Sequence, residues 1–484
     1  MRRRRAALWT VLAAGFLFVN FHRTATAVLA DSLARTFDAT GAELGLLHAS
    51  FFYVYAPLQL PAGLIVDRYG PRRVGAGGLG LLTFGVAWFA LSESLATAFL
   101  ARAVVGLGGS VLYIGTLRFC ANWFRADEYA TMTGYTVAAA GLGGILATTP
   151  LAVATGAVGW RTATLATAAT TGVLTLAIAG FVRDTPEQAG VAAEGEGAAT
   201  AAEGEGAATA AEGEGAATAA EGEGAATAAE GEGAATAAEG EGAATAADGE
   251  GAATAADGEG ASDTGAATLA DVVANVRTVV GERETWLMGA ILFCVLGVNF
   301  TVLGLWGVPF LVDTYGVSLA RASTVVLVGN VGFVVGSPLL GALSDRLGRR
   351  TELVVATALL FTLAYAVLAV VPPFPVVAPV FFVALVANGG VALVFTIGKE
   401  RHPPSVAGTV TGVVNGFGYF GAALLPALLG GVLDAYWTGE TLNGARVYTV
   451  FGYRIAFGIA AAAGLVATLA ALWLHRRERT VSGG

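Results

Sequence analysis

Residues 63–73 read Gly63-Leu64-Ile65-Val66-Asp67-Arg68-Tyr69-Gly70-Pro71-Arg72-Arg73, and residues 341–350 read Gly341-Ala342-Leu343-Ser344-Asp345-Arg346-Leu347-Gly348-Arg349-Arg350. Each charged turn lies between two long apolar runs, and 278 positions separate them. The same spacing relates Thr133-Gly134 to Thr411-Gly412, and a spacing of 279 relates Asn20 to Asn299 within matching Val-Asn-Phe triplets. Three landmarks in one order at near-constant spacing indicate an internal duplication.

The chain is 55% hydrophobic and only 13% charged, with a mean hydropathy of +0.67, which excludes an ordinary soluble domain. Apolar runs of about 20 residues recur along it, the length a helix needs to cross ~30 Å of hydrocarbon. Twelve are expected. Six begin near Ala6, Glu43, Val74, Ala96, Tyr129 and Trp160, and six near Trp286, Leu319, Leu353, Val376, Val406 and Val447. The expected organisation is therefore residues 1–183 as one helical half, 184–284 as a linker and 285–484 as the second half.

The net charge of −9 is unevenly divided. Residues 183–285 hold 22 acids and 3 bases, so the membrane body keeps 14 acids against 24 bases. Those bases concentrate in alternate loops: Arg2 to Arg5, Arg68, Arg72, Arg73, Arg346, Arg349 and Arg350 would share one side. The positive-inside rule then places both termini and the linker in the cytoplasm of a multi-pass cell-membrane protein. Arg2 to Arg5 before an apolar run resemble a secretory signal, but Asn20, His22 and Arg23 interrupt the run and its counterpart lies in mid-chain. It is read as a retained helix. Two cysteines, Cys120 and Cys294, both in apolar runs, give no disulfide or metal framework.

From about Ala193 to Gly260 the chain repeats Ala-Ala-Glu-Gly-Glu-Gly-Ala-Ala-Thr. No side chain there is more apolar than Ala, so the repeats have nothing to bury against one another. A disordered, solvated acidic tether is expected.

Ionisable groups inside spans are costly, which makes the few present informative. Arg23 has no resident acid at its depth, so an anionic ligand would supply its partner through paired hydrogen bonds. The competing reading is that Arg23 snorkels to the outer surface. Asn20 and Asn299, at matched places of the repeat, are candidates to meet at the interface near the midplane, with hydrogen bonding to a neighbouring helix as the plainer alternative. His22, Tyr55 and Trp306 complete the candidate substrate set; Asn330, Asn388 and Tyr419 are weaker candidates. The glycines of the fifth and eleventh spans, including Gly141, Gly143, Gly144, Gly418 and Gly421, would let helices approach closely and slide. Asp67 and Asp345, unnecessary for topology, suggest that the repeated turns form a latch with neighbouring arginines and a helix N-terminus.

At these turns the chain resembles the major facilitator superfamily, whose loop between helices 2 and 3 follows G-x3-D-R-x-G-x-R-R. Gly63, Asp67, Arg68, Gly70, Arg72 and Arg73 match it fully; Gly341, Asp345, Arg346 and Gly348 match, and Arg349-Arg350-Thr351 departs at the last position. Arg102 and Gly106 are similar to that superfamily's helix 4 pattern. The resemblance implies an all-α membrane protein of twelve transmembrane helices in two pseudo-symmetric six-helix bundles. It also implies a cavity lined by helices 1, 4, 7 and 10, and alternating access. Arg23 falls where the organophosphate and organic-anion branch places a substrate-binding arginine, whereas the helix 7 arginine of sugar-phosphate exchangers is missing. The expectation is a secondary transporter, symporter or antiporter, of a small organic anion, with a proton or another coupling ion, working as a monomer in the lipid bilayer. No cofactor, metal or nucleic-acid partner is expected, and Lys399, followed by Glu400, forms no phosphate-cradling G-K-[ST] turn. The alternatives are a drug/proton exporter, which normally wants an intramembrane acid, and a non-transporting receptor or scaffold.

Overall fold

The computed structural model describes residues 2–189, 269–442 and 445–482. In the first half, α1 (Arg2–Thr24) and α2 (Thr26–Phe37) form one interrupted span, followed by α3 (Gly41–Leu91), α4 (Leu95–Gly109), α5 (Leu112–Trp123), α6 (Ala126–Leu146), α7 (Thr149–Val158) and α8 (Trp160–Phe181). After α9 (Leu269–Gly281), the second half runs α10 (Arg283–Thr301), a π-helical turn at Val302–Trp306, α11 (Gly307–Tyr315), α12 (Leu319–Leu347), α13 (Arg350–Ala369), α14 (Phe374–Ala387), α15 (Gly390–Glu400) and α16 (Pro404–Ala435). The strands β1 (Trp437–Leu442) and β2 (Ala445–Tyr448) make an antiparallel hairpin before α17 (Val450–Ser482). In lipid no backbone polar group finds water, so helix after helix is the solution open to such a sequence.

The outer surface confirms the medium. Val173, Leu176 and Phe181 are 67%, 74% and 71% exposed, the reverse of a soluble protein's economy and the signature of a lipid-facing wall.

Among the described residues, ten helices are long and apolar enough to cross a bilayer, or eleven if the bent pair α6–α7 counts as one span, against the twelve expected. Residues 41–60 fall outside that count. In α3 the chain turns back at Gly70, because Phe51 and Leu82 both touch the same stretch of α4, at Gly106 and Gly108. A straight helix would hold positions 51 and 82 about 46 Å apart.

That turn explains its own sequence. Gly70 takes φ 80 and ψ 155, a region essentially closed to residues with a side chain. A Cβ there would also lie 2.7 Å from the Asp184 carboxylate, which accepts the Arg72 backbone N–H at 2.7 Å. The matching Gly348 is left-handed at φ 61, and its N–H closes α12 on the Ser344 carbonyl at 2.8 Å.

The duplication also appears in the helix breaks. Span 1 breaks at Ala25 and span 7 turns π-helical around Leu303; span 4 breaks at Ser110 and span 10 at Asn388; span 5 breaks at Thr148, matched in α16 by Pro426. Each pair is 278 residues apart. Discontinuous helices near the middle of a repeat mark where such proteins build their sites.

One correction concerns the linker. Residues 184–189 and helix α9 lie inside the range 184–284 assigned to the disordered tether, and α9 packs on α16. Its sequence, Leu269-Ala270-Asp271-Val272-Val273, regains the apolar residues that the repeat lacks. The acidic repeat lies outside the described residues.

Candidate functional site

Arg23 sits near the C-terminal end of α1, beside the break at Ala25, and reaches across to the other half. Its guanidinium carbon lies 4.5 Å from the centroid of the Phe300 ring on α10, a cation–π contact. Its Nε is buried without a hydrogen-bond partner, and among the described residues no carboxylate pairs with it. Asn20, Thr24 and Gly144 from the first half, and Phe300, Leu303, Asn330 and Phe333 from the second, line the narrow cleft around it. Asn20 and Asn330 each donate an amide hydrogen to their own helix, at Phe16 and Val326, both 3.1 Å.

The remaining predicted substrate residues are placed elsewhere. Asn299 is fully buried: it donates to Asn388 Oδ1 at 2.8 Å and accepts from the Tyr365 hydroxyl at 2.8 Å, a network inside the second half. The structure therefore does not bring it to Asn20. Tyr55 packs on Phe51 and edge-on against Tyr419, at 5.1 and 5.0 Å between centroids. Trp306 donates from its indole nitrogen to the Pro426 carbonyl at 3.1 Å. His22 lines a separate cavity within the first half, together with Phe89 and Arg102.

Arg102 is a second cation within the first half. It is 3% exposed, donates from Nε to the Leu47 carbonyl at 3.1 Å, and leaves one terminal nitrogen without a partner. Gly106, one helical turn on, lets α4 lie against the Phe51 backbone, where any side chain would collide.

The two ends of the bundle differ. The end carrying the hairpin is closed between the halves. Asp434, at the end of α16, accepts from the backbone N–H groups of Gly41 and Ala42, both at 2.8 Å, and so caps α3 from the opposite half. Arg446 and the Tyr448 hydroxyl hold the same carboxylate, at 3.3 and 3.4 Å. Gly41 and Gly45 meet Gly430 and Pro426 backbone to backbone, with no space for a Cβ between them.

At the other end, which carries both termini, ion pairs among the described residues link helices of the same half: Arg5 with Glu128, Asp67 with Arg118, Glu284 with Arg401 and Arg477, and Arg350 with Glu400. The repeated turns follow this pattern. Arg72 donates to the Ala179 carbonyl at 2.9 Å, Arg68 lies along the Tyr69 ring, Arg349 pairs with Glu352, and Arg73 and Arg346 are exposed. The Asp345 side chain lies outside the described residues. Asp434, Phe300 and Asp184 were not singled out from the sequence for these roles, since each acts through a partner distant in the chain.

Two duplicated bundles of lipid-facing helices, closed at one end and enclosing a cleft at their interface, define the class of polytopic solute transporters. The sequence profile of the Major Facilitator Superfamily matches residues 11–426. The chain belongs to the Major Facilitator Superfamily. A probable chloroplastic anion transporter of Oryza sativa subsp. japonica is 30% identical over 145 residues, 29% of this chain and 27% of that protein. A probable sulfoacetate transporter of Cupriavidus necator is 26% identical over 184 residues, 37% of this chain and 41% of that protein. The matched regions thus span less than half the length of these curated relatives. A bacterial homologue of the human lysosomal transporter Spinster, in an inward-facing and unoccupied conformation, shares the fold with a TM-score of 0.69 at 14% identity, covering 98% of each chain. The nucleoside transporter NupG aligns with a TM-score of 0.65 at 12% identity over 96% of this chain and 99% of its own.

Proposed function

We propose that this protein is a secondary transporter that moves a small organic anion across the cell membrane by alternating access, with Arg23 as the anchor for the anion. The observation that carries this reading is the Arg23 guanidinium, set between the halves with its face on Phe300 and its Nε unpartnered. A buried N–H left without an acceptor costs about 1–3 kcal/mol, and a carboxylate, sulfonate or phosphate held by parallel hydrogen bonds to the half-buried guanidinium removes that cost. Relatives named for anion and sulfoacetate transport support the sign of the cargo. Asn20, one turn from Arg23 and lining the same cleft, orients the bound anion.

With the terminal end in the cytoplasm, as the positive-inside rule requires, this conformation is closed outward by Asp434 and the glycine contacts. Opening that end and closing the other would carry the cleft from one side to the other. An exporter exchanging drugs for protons would need an acid at the site, and the described residues lining the cleft include none.

The test is uptake by the purified full chain in proteoliposomes under imposed proton and sodium gradients. Radiolabelled organic anions should accumulate above the level of empty liposomes. Accumulation confined to cationic or neutral solutes, or none of any kind, would refute the reading.

A further inference from the structure

The lining of the cleft around Arg23 bears on the number of charges a solute can carry as well as on their sign. Among the described residues that line it, Arg23 is the single cation. The other polar groups are Asn20, Thr24 and Asn330, and both amides have already spent a donor on their own helices. The Asn330 carbonyl oxygen stands 3.0 Å from where a Cβ on Gly144 would be, so an acceptor rather than a donor edges the cleft there. A second carboxylate in this space would meet neutral groups alone, the remaining N–H of each amide and the Thr24 hydroxyl, and no second positive charge. Desolvating an ionised carboxylate without a partner costs several kcal/mol.

The rest of the wall is apolar. Phe300, Leu303 and Phe333 come from the second half and Ala140 and Gly141 from the first. Behind Phe300 the wall is backed by more aromatic surface, since its ring stacks on Phe52 at 5.7 Å and on Tyr419 at 6.0 Å. Hydroxyl groups against such a surface would lose water and gain little in return.

We propose that the solute carries one anionic group on an apolar body, a monocarboxylate or monosulfonate, in contrast to polyhydroxylated or doubly charged acids. The proposal rests on the reading of Arg23 as anion anchor and adds the number of charges and the nature of the body. Its head group lies on the guanidinium and its body between Phe300, Leu303 and Phe333.

Four six-carbon acids separate the terms: hexanoate (one charge, apolar), gluconate (one charge, hydroxylated), adipate (two charges, apolar) and galactarate (two charges, hydroxylated). Radiolabelled forms are titrated by scintillation proximity onto the purified full chain in detergent, with Arg23→Gln and Arg23→Lys alongside. Hexanoate should bind at least about tenfold tighter than any of the other three, fall to background in Arg23→Gln and partly return in Arg23→Lys. Tighter adipate or galactarate that still depends on Arg23 overturns the single charge while sparing the anchor. Tighter gluconate overturns the apolar body in the same way. Binding unaltered by Arg23→Gln, or no saturable binding of any of the four, overturns the anchor itself.

Discussion

The Asp434 carboxylate accepts a hydrogen bond from the backbone N–H of Gly41 at 2.8 Å, although 393 residues separate them. Its second oxygen takes the Ala42 N–H at 2.8 Å, so a helix of the first half has its N-terminus capped by the second half. The positive end of the helix dipole and two orphan donors are satisfied by one charge. Under the alternating access proposed above, the contact would exist only while this end is shut, a conformational bond rather than a folding bond.

Asp434→Asn should therefore weaken the closed state without unfolding the protein. Loss of the cap charge is worth about 1–2 kcal/mol, a shift of roughly 5–30-fold toward states open at the hairpin end. Spin-label distances between the start of α3 and the end of α16 would lengthen in the variant. An unchanged distance distribution would contradict the assignment.

The glycine contacts at the same end predict a sharper effect. A methyl on Gly430 would overlap the Gly41 carbonyl oxygen, backbone against backbone, with no flexible group to move aside. Gly430→Ala should abolish uptake while leaving expression and thermal stability near wild type, because it blocks one conformation rather than the fold. Gly77→Ala is the control, since nothing stands within 4 Å of its Cβ; it should be silent in both assays.

Asn299 makes a prediction of the opposite kind. Its amide is shared with Asn388 and Tyr365 inside one half. Tyr365→Phe should cost about 1–2 kcal/mol of stability, seen as a lowered melting temperature, with the KM for solute little altered. The double variant Asn299→Ala, Tyr365→Phe should lose less than the sum of the singles. A large change in KM without a stability loss would return Asn299 to the substrate site.

These residues also show how far the sequence reaches. Duplication and class were legible because a repeated charged turn between apolar runs has few physical meanings. Arg23 was singled out because an intramembrane guanidinium demands an explanation, and Asn20 because it matches Asn299 across the repeat; the structure places both on one cleft. Asn299 was not, because a polar residue at a symmetric position satisfies its hydrogen bonds locally as readily as at the interface, and composition does not decide between Tyr365 and a solute. Asp434 and Asp184 were hidden for another reason. Each caps a helix start more than a hundred positions away, and the N–H groups it serves belong to glycine, alanine and arginine backbones that leave no side-chain signal. Helix α9 was absorbed into the acidic tether because only eight residues separate its short apolar stretch from the end of the repeat at Gly260.

The central claim is that a positive charge at position 23 holds the solute's negative one, and charge restoration tests it most directly. Arg23→Cys, with Cys120 and Cys294 replaced by serine, is reconstituted and assayed for uptake of a radiolabelled organic anion before and after modification. An aminoethyl thiosulfonate adds back a cation, and a sulfonatoethyl thiosulfonate adds an anion. The account predicts that Arg23→Cys abolishes uptake, that the cationic reagent restores a measurable fraction, and that the anionic reagent restores none. Full uptake in unmodified Arg23→Cys, or equal rescue by both reagents, would contradict it.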